Sequence, residues 1–234
     1  MACSSFGAML PTVKVGSPST SPPHSGIADV IDTVPFGRWD IELSESMMPA
    51  GQLTTRFAGM LDDVTLFDSS CFGMSVMEAS LSDPQQRLLL QVSWEALQSC
   101  TGLWHAGSAK PREDTGVYVG IEHMEYNGLM KDHKLALSPL MATGSAFSVA
   151  AGRLSYKYGL QGPSVSIDTA CSSSLVGLSM AWQSTCDLTQ GSGMACGVNL
   201  MLASTSLAGA SIAAMLSADG RCKTLDAEAD GYVR

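Results

Sequence analysis

No other stretch of the chain limits its fold as tightly as Gly162 to Leu178, which reads Gly-Pro-Ser-Val-Ser-Ile-Asp-Thr-Ala-Cys-Ser-Ser-Ser-Leu-Val-Gly-Leu. Val165 and Ile167 alternate with Ser164, Ser166 and Asp168 in the period of a strand. From Ser172 onward Leu175, Leu178 and Trp182 recur at helical spacing. The turn between them falls at Thr169 to Cys171 and carries one thiol. A strand running straight into a helix through so short a turn predicts a β–α unit of a layered α/β fold. At a helix start, unpaired backbone N–H groups and the positive end of the helix dipole favour thiolate over thiol. The same groups can hold the oxyanion formed when a thiolate attacks a thioester or another acyl carbonyl. The residues alone leave a second reading open, an inert buried cysteine, because free cysteine is among the most buried residue types.

The remaining chain supplies the partners for such a unit. Asp83 opens a helix, with Pro84 at its first position, Gln86 where a capping-box partner would stand, and Leu88, Leu89, Val92 and Leu97 as the predicted buried face. Thr115 to Ile121 reads as a strand. Ser145 to Tyr158 reads as a small-residue helix closed by Gly159. A buried strand is expected from about Met194 to Leu202, and a short helix from about Ala208 to Leu216. Strands alternating with helices imply a mostly parallel sheet covered on both faces. Residues 1–26 are rich in Ser, Pro, Thr and Gly, and the ordered pattern begins at residue 27.

Composition narrows the function classes. The 234 residues are 45% hydrophobic and 15% charged, richer in apolar and poorer in charged side chains than an average soluble domain, so some apolar surface is expected to need a cover. A net charge of −9 without any Lys/Arg run gives no footprint for nucleic acid or anionic membrane. Residues 188–218 hold no charge, but Asn199, Ser204, Thr205, Ser206 and Ser211 interrupt them, which favours a buried strand and helix over a membrane span. Seven cysteines at irregular spacing, with no Cys-x-x-Cys, argue against a disulfide framework and a zinc site and fit a reducing, cytoplasmic compartment. The Ser/Pro-rich opening leaves a plastid transit segment as the alternative, although it lacks the Arg enrichment of such peptides. Glu122, His123 and Glu125 have ligand-type side chains without metal-site spacing, so no metal is expected.

Asp168-Thr-Ala-Cys-Ser-Ser-Ser-Leu175 resembles the active-site elbow of β-ketoacyl synthases, in particular the ketosynthase domains of modular polyketide synthases and fatty acid synthases. Further stretches resemble the same family, in its order. They are Val34-Pro35 with Arg38-Trp39-Asp40; Asp83-Pro-Gln-Gln-Arg-Leu-Leu-Leu90 with Trp94-Glu-Ala-Leu97; Ala142-Thr-Gly-Ser145 with Ala150-Ala-Gly-Arg-Leu-Ser-Tyr156; and Asp219-Gly-Arg-Cys-Lys-Thr224 with Ala229-Asp-Gly-Tyr-Val-Arg234. Ser82, where the family usually has methionine, and Ser4, where it has arginine, depart from the pattern. Met1-Ala2-Cys3 resembles the end of the family's opening motif, which would put a first core strand upstream of residue 1.

The resemblance implies a thiolase-like α/β fold, here its N-terminal half and incomplete, spanning residues 27–234 with the C-terminal half absent. It implies Cys171 as the nucleophile that takes an acyl group, followed by decarboxylative condensation with a malonyl-type extender. The implied partners are an acyl carrier protein and its acyl and malonyl-type thioesters, with a homodimer in the intact protein. No cofactor would be bound directly, the phosphopantetheine arm belonging to the carrier. Such enzymes pair the cysteine with two histidines, in His-Gly-Thr-Gly-Thr and Asn-x-x-Gly-His contexts. The four histidines here precede Ser25, Ala106, Met124 and Lys134, so none matches, and the chain on its own is expected not to condense. Thr143 and Ser145 are candidates for lining the acyl channel, with helix-start capping as the alternative. Cys3, Cys71, Cys100, Cys186, Cys196 and Cys222 lack the elbow and are expected to be structural. Two rival readings are a non-catalytic dimer partner that has lost the chemistry and a cysteine hydrolase of thioesters, which would need a base oriented by a second polar group.

Overall fold

The computed structural model describes residues 29–46, 53–61, 64–99, 113–122, 125–132, 138–186 and 191–234. His24, His105, His123, His133, Cys3 and Cys100 lie outside them, as does the Ser/Pro-rich opening. The described chain forms β1 (Ile31–Thr33), α1 (Ile41–Ser46), β2 (Phe57–Gly59), α2 (Val76–Leu81), α3 (Pro84–Ser99), β3 (Thr115–Ile121), α4 (Glu125–Asp132), α5 (Pro139–Gly144), α6 (Phe147–Tyr158), β4 (Ser164–Ile167), α7 (Ser173–Cys186), β5 (Ser192–Val198) and α8 (Ser204–Ile212). These fall into two compact units, one within residues 64–200 and the other within residues 29–63 and 201–234.

In the first unit three parallel strands lie in the order β4-β3-β5, with Val117 opposite Ser164 and Met194 on its two sides. Helices cover both faces, as the alternation of elements predicts. Val117, Val119 and Ile121 point into a core with Leu89, Leu90 and Leu97 of α3 and Ala150, Ala151 and Leu154 of α6. Tyr118 points the other way, against Ile167 and Ala181 under α7. The buried face of α3 is rotated from the expected one: Leu90 is buried and Val92 exposed, because Gln86, Leu89, Leu90, Ser93 and Leu97 share the stripe at helical spacing. β5 starts at Ser192 and ends at Val198, four residues before the expected limit, and α8 begins at Ser204 rather than Ala208.

Asp83 caps α3 as expected, its Oδ1 accepting the Gln85 N–H at 2.8 Å. The capping box does not form as read. The backbone N–H of Asp83 donates to the Gly144 carbonyl (2.8 Å), while the Gln86 amide donates to the Ala146 carbonyl (3.1 Å) and accepts from Arg153 Nε (2.7 Å). Arg153 also pairs with Glu78 at 2.9 Å. This network pins the corner between α5 and α6. α6 ends as expected on Gly159, at φ +68°, which satisfies the last carbonyls.

In the second unit β1 and β2 pair antiparallel, so the fold is mixed. Val34, Ala58, Met201, Leu207, Ala210 and Leu216 form its core, with Trp39 and Tyr232 at the edge. Arg38 donates to the Leu61 carbonyl at 2.7 Å, and Asp40 Oδ1 accepts from the Glu42 and Leu43 N–H groups at 3.0 Å to cap α1. In the last loop Ser217 lies between Asp219 and Asp230 (2.6 and 2.8 Å), and Lys223 bridges the same two carboxylates (3.1 and 3.0 Å). Those contacts hold both carboxyls below the usual range, Ser217 leading for Asp219 and Lys223 for Asp230.

Candidate active site

β4 delivers the chain to the elbow. Ile167 is buried against Tyr118 and Ala181, and Asp168, the next residue, turns its carboxylate back to accept the Ala170 N–H at 3.0 Å. Ala170 then takes φ +54°, a left-handed conformation uncommon for a residue with a Cβ. Two hydroxyls lock the turn from the helix side. Ser172 Oγ donates to the Thr169 carbonyl at 2.8 Å, and Ser173 Oγ donates to the Ala170 carbonyl (2.6 Å) while accepting the Thr169 N–H (2.8 Å). The serines therefore act in capping and turn closure, as their positions suggest.

Cys171 leaves this turn exposed, two residues before the first residue of α7. The backbone N–H groups of Ser172 and Ser173 turn inward to the Thr169 (3.4 Å) and Ala170 (3.1 Å) carbonyls. Those two donors close the elbow, so they are not the open helix-start donors that the sequence predicts.

Exposure alone does not distinguish Cys171, since Cys71, Cys186 and Cys222 are exposed as well. Cys222 Sγ accepts the Val233 N–H at 3.3 Å. Cys196 fits a structural role best, because burial pushes its thiol up to about 12. What sets Cys171 apart is the locked turn in front of a 14-residue helix.

α7 carries its apolar stripe outward. Leu175, Leu178 and Trp182 are 68, 38 and 53% exposed and border a shallow apolar groove with Ser179, while Ser173, Gly177, Ala181 and Thr185 face the sheet. The predicted helix is present, and the face marked by the large residues is the one turned away from the sheet. Thr143 and Ser145 do not cap the start of α6. Their hydroxyls donate back to the Leu140 (3.2 Å) and Met141 (2.8 Å) carbonyls of α5, and Ala146 stands at the N-cap without a side-chain bond. Glu125 opens α4, and among the described residues no group of three or more His, Cys, Asp or Glu is arranged to hold a metal ion. No described helix is long and apolar enough to cross a membrane.

Residues 26–234 match the family model of the β-ketoacyl synthase N-terminal domain. The chain belongs to the β-ketoacyl synthase family. It is 41% identical over 207 residues to a mycocerosic acid synthase-like polyketide synthase of Mycolicibacterium smegmatis, a match covering 88% of this chain and 10% of that protein. It is 40% identical over 209 residues to the phthioceranic/hydroxyphthioceranic acid synthase of Mycobacterium tuberculosis, again covering 88% and 10%. Among solved structures it resembles the ketosynthase from module 6 of the bacillaene synthase from Bacillus subtilis 168, with TM-score 0.73, 34% identity, and 87% of this chain covering 32% of that one. An oxazolomycin ketosynthase domain of Streptomyces albus JA3453 gives TM-score 0.73 at 31% identity, covering 87% and 35%. The chain thus spans about a tenth of the length of these curated relatives and about a third of these ketosynthase structures. The fold is that of ketosynthases, in its N-terminal part.

Within the ketosynthase family the diagnostic motifs acquire separate physical roles. Arg38-Trp39-Asp40 ties carbonyls, edges the core and caps α1, whereas Asp83 and Gln86 cap α3 and hold the α5–α6 corner. The elbow motif brings the Cys171 thiol to the surface.

Proposed function

We propose that this chain is the acyl-accepting part of a polyketide-type ketosynthase and that Cys171 is its nucleophile. The observation that carries the reading is an exposed thiol held by a closed turn at the mouth of α7. Cys171 Sγ attacks the carbonyl carbon of an acyl thioester on a carrier's phosphopantetheine arm. The new S–C bond forms as the old one breaks, and the pantetheine thiol departs with the proton. In the complete reaction a malonyl-type thioester loses carbon dioxide, and the resulting carbanion attacks the acyl-cysteine and releases the Cys171 thiolate. The carrier's arm is substrate here, and the reading needs no resident cofactor. Residues 27–234 are read as part of one ketosynthase domain, a cytoplasmic homodimer when whole.

Decarboxylation and carbanion formation need proton-handling groups, and none of the four histidines stands in either family motif. A positioned acid or base contributes roughly 10² to 10⁴ in rate. The chain of 234 residues is therefore expected to form an acyl-enzyme slowly and to elongate it at least about 10²-fold below a complete ketosynthase. Incubation with hexanoyl pantetheine, followed by a malonyl thioester, separates the two steps by intact mass. The expected result is a hexanoyl adduct that Cys171→Ala abolishes, with no chain-extended product. An adduct that survives Cys171→Ala overturns the assignment of the nucleophile. Elongation at a complete enzyme's rate overturns the division of labour.

A further inference from the structure

Gly120 and Gly197 are register partners across β3 and β5, and both face the first turn of α7. A Cβ built on Gly120 would stand 2.6 Å from Ser174 N and 2.8 Å from the Ser173 carbonyl carbon. One built on Gly197 would stand 2.7 Å from Ser174 Cβ. Ordinary van der Waals contact begins near 3.4 Å, so a single methyl at either position must lift this turn by most of an ångström. The turn cannot move alone. Ser173 Oγ is bonded to the Ala170 carbonyl and the Thr169 N–H, the two residues before Cys171, and Ala170 is already in the left-handed region.

We propose that Gly120 and Gly197 are positioning residues for Cys171: as a pair they let the first turn of α7 sink onto bare sheet backbone and so fix the height of the thiol over the strand ends. The inference rests on the acyl-transfer reading of Cys171. The two strand glycines meet different obstacles. The obstacle met at Gly197 is a side-chain carbon of Ser174, which can be removed. The obstacle met at Gly120 is backbone, which cannot.

The test measures acylation of Cys171 in the full chain by hexanoyl pantetheine, per folded molecule, for Gly120→Ala, Gly197→Ala, Ser174→Gly and the two double variants. A displacement near 1 Å costs on the order of 10²-fold in rate, so each alanine variant should lose about that much. Adding Ser174→Gly to Gly197→Ala should return the rate to that of Ser174→Gly alone, whereas adding it to Gly120→Ala should return nothing. A merely structural role would lower melting temperatures without this rescue pattern. Should Gly120→Ala fail to fold, the Gly197→Ala and Ser174→Gly pair still decides. Folded alanine variants that acylate at the unsubstituted rate, or an unrescued Gly197→Ala, overturn the positioning role alone. An unsubstituted chain that takes no acyl group on Cys171 overturns the acyl-transfer reading and, with it, this inference.

Discussion

Ala170, at φ +54°, occupies a region that costs a residue with a Cβ about 1–2 kcal/mol, and strain of this kind persists only where the surroundings enforce it. Asp168 on one side and Ser173 on the other supply that enforcement. Ala170→Gly should relieve the strain but loosen the unfolded chain by roughly 0.4–1 kcal/mol, leaving a net gain between about 0 and about 1.6 kcal/mol in denaturant unfolding. The same variant should acylate Cys171 more slowly, since the turn then has conformations to choose among. Asp83 is a second residue that works against the fold, here through its buried charge. It is 3% exposed, and burial pushes its carboxyl up despite the opposing Gln85 bonds and the Arg87 charge. A carboxyl raised in the folded state favours folding at low pH and loses that contribution as pH rises through its folded value. Asp83→Asn keeps an acceptor for the Gln85 N–H, so it should be more stable than the unsubstituted chain at pH 7. The difference should vanish in unfolding curves taken below the ordinary carboxylate range, and a difference that persists there would contradict the account.

At the scale of elements, α7 explains both what was legible in the sequence and what was not. Its start, its length and the strand before it follow from periodicity and the Thr169–Cys171 turn, because local spacing determines them. Its orientation does not. Large residues ordinarily mark the buried face, yet here Gly177 and Ala181 meet the sheet, where Gly193 brings β5 to 3.2 Å of Ala181 for a built Cβ. That close approach depends on which strands pair in which register, and this is a long-range fact. The α3 stripe shows the same limit, with Leu90 taking the place read for Val92. α5 is not legible in the sequence, because six residues from Pro139 to Gly144 are too few to show a period. Substitutions should sort accordingly in chemical unfolding. Leu178→Ser on the outward face should cost under about 1 kcal/mol, while Ala181→Leu overpacks the sheet side and should cost about 1–3 kcal/mol. Equal costs would contradict this orientation, and a reversed order would place the helix the other way round.

For the whole molecule, family membership was readable because ordered motifs span nearly the whole chain, whereas the roles of most motif residues were not. Arg38, Gln86 and Lys223 act through contacts with residues distant in sequence, or through a loop closed on itself. Only in the elbow motif are a strand, a turn, a thiol and a helix start contiguous, so the chemistry proposed for it is legible in local sequence. Four described thiols are exposed, and the one proposed to react with thioesters is the one held by the locked turn. Mapping acyl adducts on every cysteine peptide after exposure of the chain to hexanoyl pantetheine compares them within the same molecules. The adduct is expected on the Cys171 peptide ahead of Cys71, Cys186 and Cys222; an even spread over the exposed thiols, or an adduct on another cysteine first, would overturn the assignment of Cys171.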